Sequence, residues 1–396
     1  MYETFEKQLS EAISKGRIAG AVALVTDRDR VIYHHAAGLR SISAPTKMDQ
    51  DTVFWIASMT KAVVSVAALQ LVEQGKLSLD GELSQLLPDL AAPQILDGVD
   101  SAGKPKTRPA KTPVTLRHLL THTSGMAYGF TSPAAQAYIE GSGVDPNSAT
   151  RAGLRQPLLF EPGAGFIYGI GIDWVGLAVE AASGKRLDVY LRDHILGPLG
   201  MSDTGFAHNP EQEARKAGVH VRDPDGALMA FPFGMPANPE VLSGGGGLSS
   251  TVGDYGRFLR MLLNGGASDG VRVLSAETVK SLSVNQTHPH RVVLKTAIPT
   301  LSNDFDPYPG MATGHGLATM VTPQTTPDGR KAGSLAWAGL ANTYYWADPD
   351  GGRAGTLMVQ LLPFADPEVL QLFGALERDT YQVSTDAAPN LIGTDL

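Results

Sequence analysis

Three serine motifs in the 396-residue chain have spacings that chemistry can use. The first, Ser58-Met59-Thr60-Lys61, opens a long apolar run. In a helix its i, i+3 spacing sets the serine hydroxyl and the lysine amine on one face, within reach of each other. Lys61 is also the sole charged residue between Asp51 and Glu73. An ammonium held against an apolar wall is pushed toward its neutral form, and a neutral amine accepts the serine's proton and makes the oxygen a nucleophile. Backbone N–H groups at the helix start would meet the oxyanion that then develops. On spacing alone a plainer arrangement fits as well, with Ser58 capping the helix and Lys61 reaching along it to solvent.

The other motifs lack a supporting element. Ser101-Ala102-Gly103-Lys104 repeats the spacing, but it lies in a polar stretch and Pro105 follows the lysine, so no helix fixes the pair. Gly266-Ala267-Ser268-Asp269-Gly270 has the form of a strained strand-to-helix elbow. It follows an amphipathic helix and precedes only a short apolar run at 271–274, so it reads as a turn. His118 and His122 are i, i+4, a zinc-compatible spacing, yet no glutamate follows the first histidine, and both read as packing residues. His288-Pro289-His290 reads as a solvated loop. The glycine run 244–247 is followed by no Lys-Ser or Lys-Thr, so it reads as a close-packing segment rather than a phosphate cradle.

Composition narrows the classes. With no cysteine, the chain has no disulfide scaffold, no Cys-ligated metal and no Cys nucleophile, and no metal or other cofactor is expected. Lys and Arg total 32 against 40 Asp and Glu, a net charge of −8 with no basic block, which argues against a nucleic-acid partner. No apolar run approaches the roughly 18 residues that span a bilayer, so no membrane partner is expected. The start, Met-Tyr-Glu-Thr-Phe-Glu-Lys-Gln-Leu-Ser, lacks the basic and apolar regions of a secretory signal, and a cytoplasmic location is expected.

The elements that must position these residues follow from hydrophobic period. Phe5, Leu9, Ala12 and Ile13 predict a helix over 3–15, and two β-rich runs at 21–25 and 31–35, split by Asp27-Arg28-Asp29-Arg30, predict a hairpin. The helix over 59–74 is apolar at nine of the eleven positions from 62 to 72, which predicts burial nearly all round. Residues 88–113 read as a long Pro-rich surface connection. Helical patterns dominate 115–196, including 116–122 and 172–183, and another covers 249–263. Strands are expected at 334–337, 343–347 and 356–362, and a last helix at 367–378. With β-rich material at both ends and helices between, the expectation is a discontinuous α/β domain, 1–77 with 185–396, a helical domain, 78–184, and a cleft between them.

With Ser58 and Lys61 placed, the chain resembles the serine β-lactamase and penicillin-binding-protein superfamily. It is similar in particular to class C β-lactamases, family VIII carboxylesterases and the fungal statin-side-chain acyltransferases. The resemblance rests on Trp55-Ile56-Ala57-Ser58-Met59-Thr60-Lys61, Leu116-Arg117-His118-Leu119-Leu120-Thr121-His122-Thr123-Ser124-Gly125, Glu161-Pro162-Gly163, Tyr168, and the glycine run with Leu248-Ser249-Ser250. It implies an α/β fold in which an antiparallel sheet is flanked by helices, with a mostly helical second domain and the active site in the cleft. The family's Tyr-x-Asn motif reads Tyr168-Gly169-Ile170 here, so the tyrosine carries over and the lactam-binding asparagine does not. The family's Lys-Thr-Gly has a near match only at Lys295-Thr296-Ala297. The equivalent strand reads Gly333 to Leu340, giving Trp337-Ala338-Gly339 where lactamases carry a cation.

The resemblance implies a two-step acyl transfer. Lys61 and Tyr168 take the Ser58 proton, Ser58 attacks the acyl carbon, and the N–H groups of Ser58 and Leu340 hold the oxyanion. Tyr128, Trp337 and Gly339 are the expected substrate-binding residues, with Trp337 an apolar wall suited to an uncharged ester. The expected activity is a carboxylesterase acting on a small-molecule ester partner, of short acyl chain or small alcohol. The alternatives are a β-lactamase or D,D-peptidase, an acyltransferase, and a sensor that acylates without turnover.

Overall fold

In the computed structural model, residues 1–100, 104–223, 225–236, 238–317 and 319–382 are described. The run Gly20–Thr26, apolar at almost every position, is buried along its whole length because it lies inside a sheet covered on both faces. That sheet has seven strands in the order Gly314–His315, Met320–Thr322, Ser334–Gly339, Thr343–Asp348, Arg353–Met358, Gly20–Thr26 and Val31–Gly38. Every neighbouring pair is antiparallel.

Strand alternation sends the aromatic side chains of one strand to opposite faces. On Thr343–Asp348, Tyr345 turns to the helix Val252–Leu263 and meets the Tyr255 ring at 5.2 Å. Tyr344 and Trp346 turn to the other face, where both meet Phe373 of the helix Pro367–Tyr381. Trp337 pairs with Tyr345 across the strands and therefore shares the Tyr255 face.

The helix Thr60–Glu73 is buried at every position from Thr60 to Leu71. A helix apolar all round needs partners all round, and it packs on the helix Gly171–Ser183 and on the segment 187–196. Each Val or Leu so enclosed contributes about 1.5–3 kcal/mol of apolar transfer. Among the described residues no helix is long and apolar enough to cross a membrane.

The structure departs from the sequence expectations at several places. The stretch 88–113 is not a featureless connection: Gln94–Val99 pairs antiparallel with Pro105–Pro109, and Ile95 is buried beside a bridge to Leu158. The two prolines occupy the first and last positions of their strand, where a missing N–H is tolerated. The helix at 116 ends at Leu120, and the segment expected as one strand over 356–362 divides into Arg353–Met358 and Leu361–Leu362. Residues 249 and 250 form a short strand, so the following helix begins at Val252. Ser268 ends a strand in a two-residue hairpin whose turn, Asp269-Gly270, has φ of 48° and 82°. Those left-handed values define a hairpin turn and not an elbow. Of the second Ser-x-x-Lys motif, residues 101–103 lie outside the described residues.

Candidate active site

Ser58 lies in a 3-10 turn, Ala57–Met59, that leads into the helix Thr60–Glu73. Ala57 has a φ of 42°, a left-handed conformation rare for a residue with a Cβ. Such a conformation persists only where the surroundings hold it, and here Ile56 O, one residue back, accepts from Met59 N at 3.0 Å and from Thr343 Oγ1 at 3.4 Å. The helix N-cap is Met59 with no side-chain bond, so Ser58 does not serve as a cap. Its hydroxyl instead accepts from Lys61 Nζ at 3.1 Å, and the residue is half-buried while Lys61 is 1% exposed.

Lys61 Nζ has two further partners, the Tyr128 hydroxyl at 3.0 Å and the Gly245 carbonyl at 2.6 Å. An ammonium carries three donors, and all three are used. A neutral amine has two N–H groups and one lone pair, so in that state Ser58 or Tyr128 must donate to it. The nitrogen also stands 4.8 Å from the Tyr168 ring centroid and 5.1 Å from that of Tyr128, a pair of π-faces that favour the cation.

Tyr168, 4% exposed, precedes the helix Gly171–Ser183. Its hydroxyl accepts from Trp337 Nε1 at 3.1 Å. Trp337 was expected as an apolar wall; it is 7% exposed, and its indole N–H is committed to Tyr168. Tyr128, expected to line the cleft, bonds Lys61 directly. Burial, with Asp173 and Tyr168 nearby, pushes its hydroxyl well above the ordinary tyrosine range.

Gly339 ends the strand beside the serine turn. A Cβ there would come within 2.3 Å of Ile56 O and 2.2 Å of Thr343 Oγ1, so the absent side chain is what lets the strand end abut the residues before Ser58. Leu340 begins the turn that follows, in which Asn342 N donates to Gly339 O at 3.0 Å with Asn342 at a φ of 58°. The Leu340 N–H stays out of that turn bond. Lys295 is elsewhere, exposed and paired with Asp304 at 2.6 Å, so no lysine enters from the third motif.

One residue that motif reading did not single out is Asp173, 5% exposed. Its Oδ1 accepts from Ser243 Oγ at 2.8 Å and Gly245 N at 3.0 Å. Burial raises its pKa, against the opposing pull of Lys61 and of those two donors. The signal available in the sequence was a single acid within the apolar stretch of that helix.

The histidines have structural partners. His118 Nδ1 accepts from Thr115 N while Thr115 Oγ1 accepts from His118 N, a reciprocal cap. His122 Nδ1 accepts from Gly169 N at 3.4 Å, and its ring lies 4.7 Å from Tyr168 and 5.0 Å from buried His315. Burial lowers His315 to about 4 and holds His122 well below the usual histidine range. Among the described residues no cluster of His, Asp or Glu suits a metal ion.

Against Trp337 and Leu340 lies a cavity of about 1430 Å³. Trp55, Phe231, Phe233, Trp337 and Leu340 are among its lining residues, as are the charged Arg330 and Glu377, and Phe233 stacks on Trp55 at 4.1 Å. Trp55 is held in turn by a bond from Nε1 to Gly246 O at 2.7 Å.

An antiparallel sheet whose inner strand Ser334–Gly339 ends against the turn of a Ser-x-x-Lys helix, with a tyrosine across the lysine, defines the serine β-lactamase-like class. The β-lactamase family profile matches residues 3–377, and the chain belongs to that family. It is 33% identical to the acyltransferase calJ of Penicillium decumbens, covering 88% of this chain and 85% of that protein. It is 32% identical to the lovastatin esterase of Penicillium rubens, covering 94% and 96%. The solved simvastatin synthase LovD of Aspergillus terreus, in its LovD6 mutant form, superposes with a TM-score of 0.84 at 31% identity, covering 96% and 94%.

Proposed function

We propose that the chain is a serine esterase that forms an acyl-enzyme on Ser58 and passes the acyl group to water or to an alcohol. The observation that carries this reading is the bond between buried Lys61 Nζ and the half-buried Ser58 Oγ at 3.1 Å, with two tyrosine rings around the same nitrogen. Lys61, with Tyr128 and Tyr168 as its proton partners, takes the Ser58 proton as Oγ attacks the ester carbonyl. The N–H groups of Ser58 and Leu340 hold the tetrahedral oxyanion, and the proton then goes to the departing alkoxide. Deacylation reverses these roles with water or a second alcohol. The same reading keeps the division into an α/β unit, 1–77 with 185–396, and a helical unit, 78–184, supported by a sheet drawn from both chain ends.

The substrate we assign is an ester that joins a short acyl group to a bulky apolar alcohol. Ligand pockets for small molecules run to about 300–1,000 Å³, and the cavity here is larger and includes Trp55, Phe231, Phe233 and Trp337 in its lining. Two relatives whose names are an acyltransferase and a lovastatin esterase support both fates of the acyl group. Lactam hydrolysis has less support, since Ile170 and Trp337 stand where lactamases place an asparagine and a cation. The test is hydrolysis of p-nitrophenyl butyrate and of nitrocefin in parallel, with and without an added alcohol acceptor, using Ser58→Ala as control. Ester turnover at least about 10³-fold above the Ser58→Ala variant is expected. Turnover that survives in that variant defeats the reading.

A further inference from the structure

Asp173 stands one residue removed from the reacting atoms. It is the third residue of the helix Gly171–Ser183, a position from which a carboxylate ordinarily serves the N–H groups of its own first turn. Here Oδ1 is spent on another part of the chain, on Ser243 Oγ at 2.8 Å and Gly245 N at 3.0 Å. Gly245 is thereby held at its N–H by a buried carboxylate and at its carbonyl by Lys61 Nζ, 2.6 Å away. The contact is as close as it is because residue 245 lacks a side chain. A Cβ there would lie 2.4 Å from Asp173 Oδ2 and 2.8 Å from the Tyr128 hydroxyl. The carboxylate, the tyrosine hydroxyl and the lysine nitrogen therefore surround one glycine.

We propose that Asp173 is a positioning residue for Lys61: by clamping the Gly245 N–H it fixes the Gly245 carbonyl as the acceptor that aims Nζ at Ser58 Oγ and Tyr128 Oη. The inference rests on the assignment of Ser58 and Lys61 made above. Without the clamp, Gly245 is free to rotate its peptide units, and the Lys61 nitrogen loses the acceptor that sets its direction. The carboxylate also supplies negative charge behind Lys61 and Tyr128. The other titratable groups around this nitrogen are Tyr168 and the His122–His315 pair.

The experiment compares Asp173→Asn, Asp173→Ala and Ser243→Ala with the unaltered protein in p-nitrophenyl butyrate hydrolysis over pH, with Ser58→Ala as control. Asp173→Asn keeps an oxygen acceptor and removes the charge. It is expected to lower kcat about tenfold, leave KM within about threefold, and shift the acid limb of kcat/KM to lower pH, since loss of a negative neighbour makes Lys61 and Tyr128 easier to deprotonate. Asp173→Ala is expected to lose about 100-fold in kcat, so that asparagine partly rescues what alanine abolishes. Ser243→Ala, which removes one anchor of the carboxylate, is expected to lower kcat about threefold. An unshifted acid limb with an unchanged kcat in Asp173→Asn overturns the proposal, and should Asp173→Ala not fold, that variant and Ser243→Ala still decide it. An inactive Ser58→Ala beside fully active Asp173 variants removes Asp173 alone and leaves the acyl-enzyme standing. An active Ser58→Ala removes both.

Discussion

The indole Nε1 of Trp337 donates to the hydroxyl of Tyr168 at 3.1 Å, so a residue of the central sheet holds the tyrosine that faces Lys61. The two come from sequence positions 169 residues apart, and their rings lie 5.0 Å from each other. A hydrogen bond to a group that carries developing charge is worth about 1.5–3 kcal/mol. Trp337→Phe keeps the ring and removes the donor, and its kcat for p-nitrophenyl butyrate is expected to fall about tenfold with KM changed less than threefold. An unaltered kcat would mean that Tyr168 needs no such anchor.

Leu340→Pro tests the oxyanion assignment with little disturbance. Leu340 is the second residue of a turn closed by Asn342 N and Gly339 O, the position where proline is favoured. The substitution deletes the N–H and little else. Losing one oxyanion donor costs about 10²–10³ in kcat, and a fall of that size with a retained melting temperature is expected in steady-state kinetics. Full activity would exclude Leu340 from the oxyanion site.

Gly339→Ala asks whether the approach of the strand to the serine turn matters. The added methyl would meet Ile56 O at 2.3 Å, a backbone atom that cannot turn aside. Overpacking of this kind costs about 1–3 kcal/mol. A lowered melting temperature together with a loss of acylation rate by a p-nitrophenyl phosphonate is the expected result. A variant as stable and as reactive as the parent would show that the strand can retreat.

Acid should destabilise the fold through the buried histidines. His315 is lowered to about 4 by burial, below the ordinary histidine value near 6.5. Between those values the unfolded chain binds the proton and the folded chain does not, so stability is complete above about 6.5 and is lost as pH falls toward 4. For His315 the loss reaches on the order of 3 kcal/mol. Thermal unfolding followed from pH 7 to pH 4.5 should fall more steeply in the parent than in His315→Gln; parallel curves would refute the assignment.

The proposed reacting pair, Ser58 and Lys61, is legible in sequence because a 3-10 turn and the helix it opens carry them three residues apart: that spacing and a single charge in an apolar run are local facts. Tyr168 was legible only by resemblance, since nothing local tells a catalytic tyrosine from a packed one. Asp173 was not legible as a site residue, because its partners Ser243 and Gly245 come from a distant loop and side-chain direction is set by tertiary packing. Trp337 was placed on the right strand but given an apolar task. The register that turns its N–H to Tyr168 depends on how the sheet meets the helical segment. The pairing of Gln94–Val99 with Pro105–Pro109 is hidden by the prolines, whose positions at the strand ends are visible only once the partner strand is known.

The pairing of Gly20–Thr26 with Arg353–Met358 has a consequence for how the enzyme comes into being. Val22 lies opposite Met358 and Thr26 opposite Ala354, so the centre of the sheet closes a loop of more than three hundred residues. Contacts of such sequence separation form slowly, because chain entropy is lost before the pairing returns anything. Ser58 and Lys61 are synthesised early, yet the strand that abuts their turn and the N–H of Leu340 come near the other end of the chain. On the function proposed above, the nucleophile is therefore made long before its oxyanion site. Under that proposal, competence to acylate waits for closure of the sheet.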